Sequence, residues 1–210
     1  MRDNTDMAQT PPVGAQRRLR AADTAKGNTA IMEYFTKFQS PIGAMILTGD
    51  GESVTGLWID RQKYRGIARA GLEENPRLPA FKAARKWLDK YFAGGKPTPS
   101  EVPLNPAGGS RFQKIVWDIL LKIPYGELST YGKIAREAAE TLGMERMSAQ
   151  AVGQAVGNNP ISIIIPCHRV VGSDGNLTGY GGGLDVKIRL LELEGADMTK
   201  LFPPKKRNAR

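Results

Sequence analysis

From residue 31 onward, apolar and polar positions fall into short β-rich runs at 32–38, 43–48 and 54–59. Ser40-Pro41 and Gly49-Asp50-Gly51 punctuate them, so the pattern predicts two or three antiparallel strands. The period then changes. Phe81, Ala84, Leu88 and Tyr91 recur at helical spacing, and Gly94-Gly95 stops a helix predicted over 79–92. A Pro-rich connector at 96–106 follows. It sets the expected boundary between an N-terminal α/β domain (31–99) and a C-terminal domain (100–198).

The C-terminal pattern is mostly helical. Ser110-x-x-Gln113 has the form of a capping box, and Phe112, Ile115, Val116, Ile119 and Ile123 lie on one helical face that Pro124 ends. Two short helices are predicted at 130–139 and 148–157, with Thr130 and Ser148 as cap candidates, which suggests a helix-turn-helix. The second contains Gly153 and Gly157, each costing about 1 kcal/mol inside a helix. Either something outside approaches that backbone closely, or the helix packs tightly on a neighbour. Pro160 and Pro166 bracket an Ile-Ser-Ile-Ile-Ile run that predicts a short buried strand. A turn-rich loop over 172–183 leads to a last helix over 184–194, with Gly195 as its C-cap.

Composition narrows the class. The 210 residues are 40% hydrophobic and 24% charged, ordinary globular values, and no run reaches the roughly 20 apolar residues of a membrane helix. A soluble protein without a membrane partner is expected. Residues 1–30 have almost no large apolar side chain and are expected to be a disordered basic arm, and residues 199–210 a basic tail. The net charge of +9 is mostly theirs: residues 1–30 and 205–210 carry nine basic and three acidic groups, against 21 and 18 in the body. Charge therefore permits DNA binding without demonstrating it.

Cysteine use is the sharper clue. Cys167 is the only cysteine and His168 the only histidine, which excludes an intrachain disulfide and an ordinary structural zinc site; no metal is expected. A thiol with an ordinary pKa near 8.5 needs a base or a positive neighbour to react at neutral pH. In a strand the two adjacent side chains would point apart. After Pro166, a turn would let His168 act on Cys167 directly or through a water, with a carboxylate to orient it. For an arbitrary Cys-His pair the commoner reading is a buried cysteine serving as a small hydrophobe beside a surface histidine.

A resemblance separates these readings. Ile165-Pro166-Cys167-His168-Arg169-Val170 resembles the active-site motif of the 6-O-alkylguanine-DNA alkyltransferases, also called methylated-DNA protein-cysteine methyltransferases. The similarity extends in order through Tyr125-Gly126-Glu127, Ala151-Val152-Gly153, Asn158-Asn159-Pro160-Ile161, the segment 177–184 and Leu191-Glu192-Leu193-Glu194-Gly195. It covers 100–196 closely and 31–95 loosely. The resemblance implies an α+β fold: a small N-terminal antiparallel sheet with helices, ribonuclease H-like, and a mainly helical, winged-helix-like C-terminal domain with a helix-turn-helix.

It also implies DNA repair by one stoichiometric, irreversible transfer of an alkyl group from 6-O-alkylguanine, with 4-O-alkylthymine as a second substrate, to Cys167. No cofactor is implied. His168 would be the base, acting through a water, and Glu194 its orienter. Asn159 would brace the hinge that delivers the turn, and Tyr131 would hydrogen-bond the guanine as it leaves. Thr130, Ser148, Gln150, Ala151, Gly153, Arg169, Tyr180, Gly181 and Gly182 would contact substrate or DNA. The implied partner is double-stranded DNA containing alkylated guanine, bound by a monomer in the cytoplasm of a bacterium or the nucleus of a eukaryote. The target nucleotide must be flipped out for the thiol to reach it.

Some positions depart from the family pattern. Gln150 stands where many members have an arginine that fills the space of the flipped base, and residues 140–147 make a longer connection than some relatives have. Residues 100–196 hold nine basic and ten acidic groups, so phosphate contacts depend on local placement, the N-terminal part or the tails. Two other classes are distinguishable. A non-enzymatic lesion binder would lack the nucleophile, and a thiol hydrolase would turn over repeatedly.

Overall fold

The structure, a computed structural model, describes residues 33–59 and 72–204. The expected basic arm and the last six tail residues lie outside them. Strands β1 (Tyr34–Ser40), β2 (Gly43–Gly49) and β3 (Val54–Ile59) form the expected antiparallel meander. A two-residue strand, β4 (Glu73–Glu74), pairs parallel to β1 and gives the order β3-β2-β1-β4. Such a short exposed acidic segment carries no periodic signal, so only its pairing reveals it.

β3 stands last in the sheet and yet is buried along its whole length. Its outer edge is covered by the connector itself and by residues 160–162. Val54 N donates to Pro103 O, and Asn105 N returns to Val54 O. Leu57 N donates to Pro160 O, and Ser162 N to Leu57 O. The free strand edge is thus used up in holding the segment that leads to Cys167.

Helix α1 (Pro79–Phe92) buries Phe81, Ala84, Leu88 and Tyr91, the face that the spacing predicts. Helix α2 (Arg111–Leu121) begins on the Ser110–Gln113 capping box, with both reciprocal bonds made. Strand β5 (Ser129–Thr130) pairs with β6 (Val170–Val171) in a small parallel ladder too short to read from sequence. Helices α3 (Tyr131–Leu142) and α4 (Ala149–Gly157) are the predicted pair, capped by Thr130 and Ser148. Helix α5 (Leu184–Leu193) follows the loop and ends at Glu194. One hydrophobic core runs through sheet, α1, α2, α3 and α4.

The run at 161–165 corrects an expectation. It is buried throughout but is not a strand: only Ile161 makes a β-bridge, to Leu57, and the chain then coils on itself. Ile164 N bonds to Ser162 O, Ile165 N to Ile161 O, and Ile163 sits at φ 70°. Such a left-handed β-branched residue costs about 1–3 kcal/mol and persists only where its surroundings impose it. The imposing group is Asn159, whose side chain bonds backbone at both ends of the run. Complete burial made the apolar run look like a strand, because periodicity cannot distinguish the two when every position is inside.

Trp117 anchors α4 to α2 by donating from Nε1 to Ala155 O, a carbonyl in the last turn of α4. Trp117→Phe should cost about 1–2 kcal/mol and lower the melting temperature by roughly 2–8 °C, read by thermal unfolding.

Candidate active site

Asn159 organises the turn before the cysteine. Its Oδ1 accepts from Ile161 N at 3.0 Å, and its Nδ2 faces Ile161 O at 3.3 Å, Ile165 O at 2.9 Å and Cys167 Sγ at 3.1 Å. Two amide hydrogens serve three acceptors, so one bond is shared. Residues 167–169 then make a single 3₁₀ turn after Pro166, which removes the strand geometry that would have separated Cys167 from His168.

His168 is completely buried, and its Nε2 lies 2.7 Å from Glu194 Oε1. Glu194 collects five donors. Oε1 accepts from Tyr91 OH (2.7 Å), His168 Nε2 and Arg169 Nη2 (3.0 Å), and Oε2 from Gly126 N (3.0 Å) and Arg169 Nε (2.8 Å). Burial pushes its carboxyl up, but the bonds from His168 and Arg169 outweigh burial and hold it ionised below the usual carboxylate range. An ionised carboxylate can only accept, so His168 carries its proton on Nε2. Burial also keeps the imidazole itself neutral by lowering its pKa. Its other nitrogen, Nδ1, is buried and has no hydrogen-bond partner among the described residues. That nitrogen holds the lone pair that can take a proton.

Burial pushes the Cys167 thiol up, and the Asn159 amide and the Lys187 charge pull it part of the way back. The resting thiol is therefore protonated, with a neutral base nearby. Lys187 is fully buried on α5, and its Nζ donates to Val170 O at 2.6 Å and to Leu177 O. Burial pulls its pKa down to about 8. It ties the backbone just after the cysteine turn to Leu177, in the middle of the 172–183 loop.

Tyr131 is the first residue of α3, half-buried, and its hydroxyl is 2.9 Å from Thr178 Oγ1 on that loop. The Tyr180 ring stands edge-on to His168 at 6.5 Å. Cys167, His168, Glu194, Asn159, Tyr131 and Tyr180 are thus drawn around one turn. Thr130 and Ser148 cap α3 and α4. Gln150 is exposed at the start of α4, with Ala151 and Gly153 half-buried behind it.

Neither glycine of α4 is demanded by packing inside the chain. A Cβ on Gly153 would meet Tyr131 at an ordinary 3.8 Å, and one on Gly157 would meet nothing within 4 Å. Of the two readings of this helix, close approach from outside fits better.

Two expected contact residues sit elsewhere. Arg169 is buried, with its guanidinium on Glu194 and Ile123 O, because a carboxylate left unpaired in the interior would be far costlier than an arginine withdrawn from the surface. Gly182 is also buried, and a Cβ there would lie 2.8 Å from Ile59 Cδ1 and 3.0 Å from the Tyr180 ring, so a larger residue would have to displace those side chains. Gly181 is exposed.

Tyr91 and Lys187 were not expected at the site. Lys187 had a signal: Lys187, Leu190, Leu191 and Glu194 follow helical spacing, which places a lysine and a glutamate on the buried face. Tyr91 had none beyond its core position.

Residues 111–196 match the family model described as the 6-O-methylguanine DNA methyltransferase DNA binding domain, and residues 33–106 match the ribonuclease-like domain of the same methyltransferase. The chain belongs to the 6-O-methylguanine DNA methyltransferase family. It is 48% identical over 164 residues to the methylated-DNA–protein-cysteine methyltransferase of Mycolicibacterium paratuberculosis, covering 78% of this chain and 93% of that one. The Haemophilus influenzae protein of the same name is 42% identical over 161 residues, or 77% and 86% of the two chains. Among solved structures, Mycobacterium tuberculosis OGT in complex with DNA superposes with a TM-score of 0.67 at 43% identity, covering 77% of this chain and 93% of that one. The α+β fold expected from the resemblance is the fold of this family. No helix among the described residues is long and apolar enough to cross a membrane.

The buried pair makes stability fall with acid. Glu194 titrates below its unfolded value, so its contribution is complete above about pH 4.3 and is lost as pH falls through the folded value. His168 also titrates below its unfolded value, so its contribution is complete above about pH 6.5 and is lost as pH falls below that. Unfolding free energy should decline below roughly pH 6.5 and again below about pH 4.3. Glu194→Gln should remove the lower step and, by stranding Arg169, cost about 3–5 kcal/mol at neutral pH. Denaturant unfolding across this range checks both.

Proposed function

We propose that this protein repairs DNA by taking the alkyl group of 6-O-alkylguanine onto Cys167, once and irreversibly. The observation that supports it best is the sole cysteine on an Asn159-folded turn beside His168, whose free nitrogen is Nδ1 and whose other nitrogen is fixed on Glu194. DNA is the partner, duplex with the damaged nucleotide turned out of the stack.

The step balances without a cofactor. Cys167 Sγ attacks the alkyl carbon, the carbon–oxygen bond breaks, and the thiol proton passes to His168 Nδ1 through a bridging water. Guanine leaves with negative charge on its ring, and the Tyr131 hydroxyl donates toward it. The Tyr131 hydroxyl, 2.9 Å from Thr178 Oγ1, can accept from that threonine while its own proton turns to the base. Lys187 contributes positive charge as the sulfur becomes a thiolate. The thioether product has no acidic proton and no route back to thiol.

This arrangement accounts for selectivity in time. A protonated, buried thiol does not react with passing electrophiles, and the base acts only when the alkyl carbon is held in line. The exposed, small-residue face of α4 suits approach to a DNA groove without reading sequence, which matches lesions that arise anywhere. Gln150 leads that face with a neutral amide, which keeps hydrogen-bonding capacity without an arginine's charge.

Intact-mass measurement after incubation with duplex containing 6-O-methylguanine should show one added methyl group per protein, mapped to Cys167. Repeated turnover, or label elsewhere, would sink the reading. Cys167→Ala should keep lesion binding and lose transfer. Gln150→Arg should tighten DNA binding and steepen its salt dependence, with a smaller change in the single-turnover rate at saturating DNA. Titrations at two salt concentrations measure it.

A further inference from the structure

Glu194 Oε1 accepts two 2.7 Å bonds, one from His168 Nε2 and one from the Tyr91 hydroxyl. Tyr91 comes from α1, more than a hundred residues away in sequence and in the segment matched to the ribonuclease-like domain. We propose that Tyr91 is a positioning residue for the transfer reaction: its hydroxyl shares the carboxylate oxygen that orients His168 and so sets how strongly Glu194 draws a proton onto the imidazole. The proposal rests on the alkyl-transfer reading, in which His168 is the base.

The geometry leaves this hydroxyl no alternative. Tyr91 is fully buried; its ring stacks on Trp87 at 5.2 Å and 10°, and meets Phe92 and Tyr125 edge-on at 5.3 and 5.9 Å. Trp87 is itself pinned by Nε1 donating to Thr98 O at 2.8 Å. Burial and the neighbouring carboxylate keep the phenol protonated, so it is a permanent donor.

The consequence follows from competition for one oxygen. Each donor on Oε1 withdraws electron density that would otherwise stabilise an imidazolium. Four other groups surround the imidazole: Arg169 and Lys187 oppose its protonation, and Cys167 and Tyr180 are neutral while they hold their protons. Tyr125 stands under the Arg169 guanidinium and does not bond the carboxylate. Tyr91 is thus the group from outside the C-terminal segment that tempers Glu194. A base that must be neutral before it accepts the thiol proton needs this tempering. It also gives the N-terminal segment a part in the chemistry.

His168 is the only histidine in the chain, so its imidazole resonances can be followed in the full-length protein without assignment ambiguity. Tyr91→Phe keeps the ring and removes the hydroxyl. The His168 titration midpoint should move upward by about 0.5–1 pH unit, and the acid limb of the single-turnover rate should move with it, slowing transfer about threefold to tenfold on that limb. DNA affinity should not change. Tyr125→Phe, which loses a hydroxyl bonded to Leu193 O in the same aromatic cluster, should leave the midpoint at the wild-type value.

An unmoved midpoint in Tyr91→Phe, or the same movement in Tyr125→Phe, overturns the proposal. In the wild-type protein a slowly exchanging Tyr91 hydroxyl proton should show a cross-peak to the His168 Nε2 proton. Its absence overturns the proposal even where Tyr91→Phe does not fold. The two readings fail separately: no methyl transfer by the wild-type protein defeats the alkyl-transfer reading, whereas the imidazole titration reports on Tyr91 in either case.

Discussion

A single buried carboxylate carries much of this structure. Glu194 is ionised in an interior where an uncompensated charge would cost several kcal/mol, so the chain must bring donors to it from every side. They come from α1 through Tyr91, from the turn after Pro124 through Gly126 N, and from the cysteine turn through His168 and Arg169. Elements scattered across more than a hundred residues are thereby fixed to one point at the end of α5. Gly126 shows how tight the convergence is: its φ is 79°, and a Cβ there would lie 2.8 Å from Glu194 O. Glycine at 126 is thus a backbone requirement, set by its left-handed φ and by the close approach of the Glu194 main-chain carbonyl.

The same convergence decides the chemistry. Glu194 fixes the tautomer of His168 and the interior keeps that imidazole neutral, while Asn159 and Lys187 moderate a thiol that burial would otherwise make inert. A group that reacts once benefits from this balance. Its nucleophile must survive unspent, yet yield its proton as soon as the substrate is in place. Strain at Ile163 belongs to the same economy of form, since the turn that presents Cys167 exists only because Asn159 and the edge of β3 hold both of its ends.

Arginine is used in a way that the basic composition does not suggest. Arg169, next to the reactive pair, turns inward to neutralise the carboxylate, while Gln150 is the exposed side chain at the tip of α4. Net charge thus says little about which cations face DNA. Placement, and the interior's demand for counter-ions, decides it.

Local information was enough for much of the fold. The meander, α1, the capping box of α2, the paired helices with their Thr130 and Ser148 caps, and the stop at Gly195 were all legible, because each depends on side-chain period or on a cap a few residues away. The motif around Cys167 pointed to the site through its resemblance, and the lone cysteine and histidine restricted the chemistry. The coil at 161–165, the covered edge of β3 and the partners of Glu194 were not legible. A fully buried run has the same apolar pattern as a strand or as a turn, and only the Asn159 amide and the β3 edge select the turn. Tyr91, Lys187 and Arg169 acquire their roles from distances across the chain that no local pattern encodes. The sequence by itself determined which residues could react and which segments could be helix or strand. Tertiary structure alone decided which donors reach one buried oxygen, because the cost of burying a charge is met by whatever the fold brings within hydrogen-bonding distance.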